Sequence, residues 1–531
     1  MTLPTKKLAF WPGFCRDTCT SGRASAAACP MKIRARIQTW LAAHPRAAEG
    51  ARKFNKRRRT WITLFVMLCH IAGFFTSVDA IMSVRTAQGA IAWLVSLNTV
   101  PYVAVPAYWV FGRSEFNGYV LTRRADLAEV APETSKFIKT LSEQRLIALP
   151  DRDRPLLVER LAKLPFTLGN DAELLVDGEA TFKSIFEGIA RAKSYVLVQF
   201  YIIRDDSVGR ELKASLVERA KAGVSCRLLY DEIGSKLPAA YIDELRRAGV
   251  DVRPFHSTRG DSNRFQLNFR NHRKVVIVDG IEAWVGGLNV GDEYKSLNTK
   301  FGYWRDTHMR VVGPVVQCTQ VAFVEDWHWA TDETPQNLNW NPQPAPKGAS
   351  RALLCLPSGP ADRLETCTLF FLNAINSAKT RLWIASPYFV PDEQFISALQ
   401  LAALRGVDVR IIIPEEADNP LVQLAAWAYF DVLDRVGIKV YRYTKGFMHH
   451  KVMLVDDEYG TIGTANFDNR SFRLNFEITM AFANRDFADQ VAKMLETDMT
   501  HCRAVRTGEL QEHGYWFRFM VRAANLTAPV L

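Results

Sequence analysis

Two stretches decide how this 531-residue chain folds: Asn271-His-Arg-Lys-Val-Val-Ile-Val-Asp279 and His449-His-Lys-Val-Met-Leu-Val-Asp456. Each carries a His and a Lys two residues apart, then four residues, then an Asp. Each Asp is followed seven residues later by a Gly and three after that by an Asn, which gives Gly286-Gly-Leu-Asn289 and Gly463-Thr-Ala-Asn466. The two His residues, His272 and His449, are 177 positions apart. VVIV and VMLV have the composition of buried strands, and strand alternation sets His and Lys on one face.

The same order of elements surrounds both copies. Tyr195–Tyr201 and Arg381–Tyr388 are apolar strands, each followed by a helical stretch. Ser225–Tyr230 and Asp408–Ile413 repeat the pattern, with Gly at 223, 249, 406 and 437 closing the helices. Strands alternating with helices predict two pseudo-twofold-related α/β/α sandwich halves with parallel-rich sheets. The expected boundaries are 166–335 and 350–531, joined by a Pro- and Asn-rich connection.

Chemically, one half offers an imidazole, an ammonium and an amide, and two halves facing each other offer two of each. That set suits a phosphodiester. Lys274 and Lys451 would neutralise the non-bridging oxygens and Asn289 and Asn466 would donate hydrogen bonds, with Gly287 and Thr464 beside them. The two imidazoles would act on opposite sides of phosphorus. His256, His308, His328 and His450 have no such repeated partners and read as filler.

The charge is unevenly spread. The chain has 67 Lys+Arg against 56 Asp+Glu, yet residues 1–60 hold 14 of the basic residues and only Asp17 and Glu49 of the acids. The remainder is close to neutral, which argues against a nucleic-acid binder, since phosphate-backbone binding needs a basic footprint on the body. Nine scattered cysteines with no CxxC pair argue against a disulfide framework or a zinc site. No metal or cofactor is expected, because two lysines supply the positive charge.

After the basic cluster Lys56-Arg-Arg-Arg59 come two apolar runs, 61–81 and 88–111. Each is long enough to cross a bilayer as a helix. The expectation is a flexible basic tail (1–60), a two-helix transmembrane hairpin (61–112) and a connecting segment (113–165). Basic residues flank the pair, Lys56–Arg59 before it and Arg113, Arg123 and Arg124 after it, while the connector holds only Arg85. The positive-inside rule then places the body in the cytoplasm.

The paired motif resembles that of the phospholipase D superfamily. Further stretches are similar to bacterial cardiolipin synthases: Asp177-Gly-Glu-Ala-Thr-Phe182, Trp304-Arg-Asp306, Ser386-Pro-Tyr-Phe-Val-Pro-Asp-Glu393, Asn466-Phe-Asp-Asn-Arg-Ser471 and Asn475-Phe-Glu477. Thr464 stands where that family often has Ser, and the basic tail is longer than is usual there. The resemblance implies a multi-pass enzyme of the bacterial inner membrane acting on phosphatidylglycerol and other anionic phospholipids. It would join two phosphatidylglycerols into cardiolipin and release glycerol, with a hydrolase giving phosphatidic acid as the alternative. It implies His272 as nucleophile and His449 as general acid and then base. Glu477 and Asp306 are candidates to hold the second nitrogen of each imidazole, with the pairing open. Asp279 and Asp456 complete the catalytic motifs and are expected to bond backbone or loops rather than substrate. Oligomeric state is not legible.

Overall fold

The computed structural model describes residues 42–84, 86–112, 134–148, 156–255, 268–298, 300, 302–346 and 350–531. Residues 1–41, most of the connecting segment and His256 lie outside them.

Between Thr167 and Leu531 the repeat is explicit. The first half orders its strands as Thr167–Val176, Thr307–Val312, Glu282–Gly286, Val275–Val278, Tyr195–Phe200, Ser225–Asp231 and Asp251–Phe255. The second repeats that order with Arg351–Ser358, Asn475–Ala483, Tyr459–Gly463, Val452–Val455, Arg381–Ala385, Asp408–Pro414 and Lys439–Tyr443. The sheets join edge to edge where Thr167 faces Leu353 in antiparallel register.

Each half is mixed rather than mainly parallel. Three strands run parallel, as in Tyr195–Phe200 beside Ser225–Asp231 beside Asp251–Phe255. The motif strand Val275–Val278 instead pairs antiparallel on both sides. The reason is local: Asp279 (φ +53°) and Gly280 (φ +64°) both take the left-handed conformation, the Ile281 N–H donates to the Val278 carbonyl (2.9 Å), and only three residues separate the paired Val278 and Glu282. The motif strand therefore returns at once through Glu282–Gly286 instead of crossing over through a helix.

The continuous apolar runs follow from burial on both faces. In Tyr195–Phe200, Val196, Val198 and Phe200 join the core under the helices Asp177–Arg191, Ser207–Lys221 and Ala239–Arg247. Tyr195 and Leu197 face the opposite core, beneath Val315–Thr331. Four of the described cysteines, Cys226, Cys318, Cys355 and Cys367, are buried and unbridged.

The N-terminal segment differs from a simple hairpin. A 39-residue helix, Pro45–Ser83, begins well ahead of Trp61, so the basic cluster is itself helical. Its Lys56–Ser83 portion is the one described helix long and apolar enough to cross a membrane. The second run is two helices, Ala87–Thr99 and Pro101–Phe111. Trp93 and Tyr108 lie with ring centroids 5.2 Å apart, whereas one straight helix would separate them by about 22 Å. The run thus folds back at Val100-Pro101, where proline lacks the N–H that would continue the ladder. Tyr108 donates to Asp79 (2.8 Å) and lies 2.8 Å from the Ser83 hydroxyl. Gly73 permits close packing, since a Cβ there would fall 2.2 Å from the Leu97 carbonyl oxygen.

Candidate active site

Each motif histidine is carried out of its own half. The short strand Arg270–Asn271 pairs with Asn475-Phe476 of the second half, and the His272 N–H donates to the Phe476 carbonyl at 2.9 Å. In mirror fashion Phe447–Met448 pairs with Trp304–Arg305 of the first half, and the His449 N–H donates to the Arg305 carbonyl at 2.7 Å. The exchange settles the carboxylate pairing geometrically. His272 Nδ1 lies 3.0 Å from both oxygens of Glu477, and His449 Nδ1 lies 2.7 Å from Asp306 Oδ2. Glu477 and Asp306 occupy equivalent places, each two residues before the strand partner of the motif glycine (Gly463↔Thr479, Gly286↔His308). With Nδ1 held by a carboxylate, Nε2 of each ring is left to react.

Gly287 and Thr464, also equivalent, explain why one orienting residue is Asp and the other Glu. A Cβ on Gly287 would sit 2.1 Å from Asp306 Oδ1, so the bare glycine makes room for the carboxylate. Thr464 instead donates its hydroxyl to Glu477 Oε2 at 2.5 Å and accepts from the Ile478 N–H at 2.9 Å. Asn475 donates to Glu477 Oε1 at 3.1 Å.

Strand alternation sends Lys274 and Lys451 the same way as the imidazoles. Lys274 Nζ donates to the His272 carbonyl (2.6 Å) and Lys451 Nζ to the His449 carbonyl (2.7 Å). Lys451 Nζ also lies 2.9 Å from each ring nitrogen of His449. Arg273 points the opposite way, into an ion pair with Asp326 (2.8 Å) and onto the Glu477 carbonyl (3.1 Å). That buried arginine ties the first motif to the second half, and its position between His and Lys was the available sequence signal. Trp304, invisible as a site residue except through its neighbour Asp306, packs on the His449 ring at 5.1 Å, and Tyr201 packs edge-on to His272 at 5.1 Å.

The amides are less simply aimed. Asn289 accepts from the Ile202 N–H (3.1 Å) and donates to the Tyr294 hydroxyl (2.9 Å), which commits much of its side chain to the scaffold. Asn466 has a buried carboxamide oxygen with no partner among the described residues, and a carboxamide flip would turn an N–H2 to that place.

Asp279 and Asp456 do not join the cluster. The Asp279 carboxylate accepts from the backbone N–H groups of Lys193, Ser194 and Tyr195 at 2.7–2.8 Å. Asp456 does the same for Lys379, Thr380 and Arg381. Each stands just past its four-residue motif strand, about 16 Å of extended chain beyond Lys. Their carboxylates pin the loop before a central strand. Among the other histidines, His450 is a core residue bonded to Thr307 (2.5 Å) and Asp498 (3.0 Å). His308 and His328 are also buried.

The electrostatics follow from a dry site holding two cations and two anions. Burial drives the His272 imidazole down to about 4, with Glu477 only partly offsetting it. Burial and the Lys451 ammonium push His449 to about 3. Burial also brings Lys451 down to about 8 and Lys274 well below the ordinary lysine range. It works against ionisation of Asp306 as well, but His449 and Lys451 outweigh it and leave that carboxyl at about 2. Glu477 is lowered likewise, with His272 and Lys274 opposing its burial. The site thus favours neutral imidazoles and ionised carboxylates, and an arriving phosphodiester anion would favour one imidazolium.

Two buried imidazoles, each held by the other half's carboxylate and flanked by lysines, on a doubled mixed sheet, define a phospholipase D-superfamily phosphoryl-transfer enzyme. Comparison with known proteins narrows this. The family model described as "Cardiolipin synthase, PLD-like domain" matches twice, at residues 185–314 and 371–499. Cardiolipin synthase A of Pseudomonas putida (strain W619) is 45% identical over 476 residues, covering 87% of this chain and 97% of that protein. Cardiolipin synthase A of Pseudomonas syringae pv. syringae (strain B728a) is 46% identical over 475 residues, again covering 87% and 97%. Among solved structures, phosphatidylserine synthase of Haemophilus influenzae Rd KW20 superposes with a TM-score of 0.53 at 16% identity, covering 71% of this chain and 99% of that one, a likeness of fold alone. The chain belongs to the cardiolipin synthase family.

Proposed function

We propose that this enzyme is a membrane phosphatidyltransferase that makes cardiolipin from two phosphatidylglycerols. The observation that carries the reading is the exchanged pair of His–carboxylate contacts inside one buried, lysine-flanked site. Lys274 and Lys451 bind the phosphate oxygens of the first lipid. Its negative charge raises the proton affinity of the nearby imidazoles, so His449 enters the reaction as imidazolium with Asp306 behind it. Neutral His272, its Nδ1–H held by Glu477, attacks phosphorus through Nε2. The P–O bond to glycerol breaks, and His449 gives that oxygen its proton. The phosphatidyl group is now on His272 and His449 is neutral. The second phosphatidylglycerol brings a headgroup hydroxyl, His449 takes its proton, and the oxygen attacks phosphorus. The P–N bond breaks, cardiolipin leaves and His272 is restored. Two easier displacements replace one hard one.

Water could serve as acceptor in the same site. What favours the lipid is concentration: a membrane-anchored enzyme meets acceptor hydroxyls gathered in two dimensions. Incubating the purified enzyme with headgroup-labelled phosphatidylglycerol checks this. Cardiolipin with free glycerol is expected, and phosphatidic acid alone would make the enzyme a hydrolase.

The halves are assigned to residues 166–335 and 350–531, with the body in the cytoplasm on the strength of the basic flanks Lys56–Arg59 and Arg113, Arg123 and Arg124. The folded-back run 87–111 favours a second reading, because it returns the chain to the Ser83 end after one crossing. A cysteine introduced at Lys236 and tested in intact cells with a membrane-impermeant maleimide separates them. Protection until lysis is expected, and labelling of intact cells places the body outside.

A further inference from the structure

The helix Tyr515–Asn525 near the C-terminus is strongly two-sided, and most of its apolar surface does not face the protein. At ~100° per residue, Phe517, Val521 and Ala524 share one narrow face. There Phe517 packs on Trp427 with ring centroids 5.5 Å apart, while Val521 and Ala524 are buried. Arg518 and Arg522 form a second face and are exposed. The third and widest, roughly 140° across, carries Tyr515, Trp516, Phe519, Met520, Ala523 and Leu526. Trp516 is 72% exposed and Leu526 is 83% exposed. This arc borders the arginines directly.

A large aromatic arc rimmed by arginine has the chemistry of the headgroup–acyl boundary of an anionic bilayer. Apolar and aromatic side chains enter the boundary, and guanidinium groups meet lipid phosphates beside them. The same end of the chain reaches the reaction site. Asn469 donates its side-chain amide to the Ala528 carbonyl (3.1 Å), and the Arg470 N–H donates to the carbonyl of Leu531 (2.9 Å). Asn469 and Arg470 follow three and four residues after Asn466, and Asp468 N-caps that short helix by accepting from the Ser471 N–H at 2.7 Å.

We propose that Tyr515–Asn525 is an interfacial helix that docks the second half on anionic lipid and, through Asn469 and Arg470, sets the motif-2 loop against the bilayer from which substrate comes. The proposal rests on the lipid-substrate reading above. The partner is a lipid surface rather than a second copy of the chain, because the exposed arc borders two like-charged arginines, Arg518 and Arg522, which anionic headgroups complement and a second copy of the same face does not.

The test uses the full-length enzyme and a Trp516→Ser, Phe519→Ser double variant. Each is assayed on phosphatidylglycerol vesicles and on short-chain phosphatidylglycerol kept monomeric below its micellar concentration. Loss of two interfacial aromatics should cut the vesicle rate at low phosphatidylglycerol fraction by about tenfold. Activity on the monomeric lipid should stay within twofold of the parent enzyme, which shows the site to be intact. Equal rates on vesicles, or equal losses on both substrates, overturn the proposal. So does a parent that is dimeric in detergent with a variant that is monomeric, since the face would then bind a second copy. If the parent turns over neither form of the lipid, the substrate reading itself fails.

Discussion

At the scale of single residues, the site depends on which tautomer each imidazole holds. Asp306→Asn or Glu477→Gln keeps the shape but replaces an acceptor with an amide that can favour the wrong tautomer. Cardiolipin formation should fall by roughly 10³–10⁴-fold with thermal unfolding little changed. A tenfold loss or less would mean that the carboxylate is not what orients the ring. Gly287→Ala acts one step removed: its Cβ would strike the Asp306 carboxylate, 2.1 Å away. A loss of about 10²-fold in kcat is expected from that displacement. The pH profile carries its own signature. Lys451 is cationic below about 8 and loses its proton above, so kcat/KM, already declining because His449 is neutral in the free enzyme, should fall more steeply as pH rises through that value. His272 must be neutral to attack, and its pKa near 4 places the acid limb there. In Lys451→Arg the guanidinium stays charged, so the alkaline limb should move upward whatever happens to the plateau. The motifs themselves were legible because the spacing repeats without change. The identity of each carboxylate partner was not, because Glu477 and Asp306 lie in the opposite half from the histidine they hold, and spacing within a repeat carries nothing about contacts across the pseudo-twofold.

At the scale of elements, the strands and their helices could be read from apolar runs closed by glycine. The hairpin return of the motif strands could not, since it hinges on Asp279 and Asp456 taking positive φ where non-glycine residues seldom do. Those carboxylates hold the turn by satisfying three consecutive backbone N–H groups each. Asp279→Ala should therefore lower stability by about 2–4 kcal/mol, seen as an earlier unfolding midpoint. The fraction that remains folded should turn over nearly as the parent does. A catalytic collapse with an unchanged midpoint would return Asp279 to the chemistry. The same limit of sequence reading applies in the membrane segment. Composition there predicts an apolar run of spanning length, but whether proline kinks that run or reverses it depends on Tyr108 packing against Asp79, Ser83 and Trp93.

For the molecule as a whole, the site belongs to neither half. Cutting the chain between Lys347 and Arg351 should leave each half without turnover, because each histidine loses both its carboxylate and the strand that seats it. Co-expressing the two pieces should restore cardiolipin formation, and activity from one piece alone would contradict the exchanged site. The excess positive charge, which at first sight suggests a polyanion binder, resolves at this scale into a basic N-terminal segment and a nearly neutral body whose chemistry uses two buried lysines.

In the proposed mechanism His272 carries the phosphatidyl group while His449 moves the proton. A phosphatidyl ester of p-nitrophenol tests it, because that leaving group departs without an acid. In His449→Ala the first step should still run and the second should stall. The expected result is a burst of one nitrophenolate per enzyme and a phosphatidyl adduct on the peptide bearing His272. A burst that survives in His272→Ala, with the adduct on His449, would contradict the assignment.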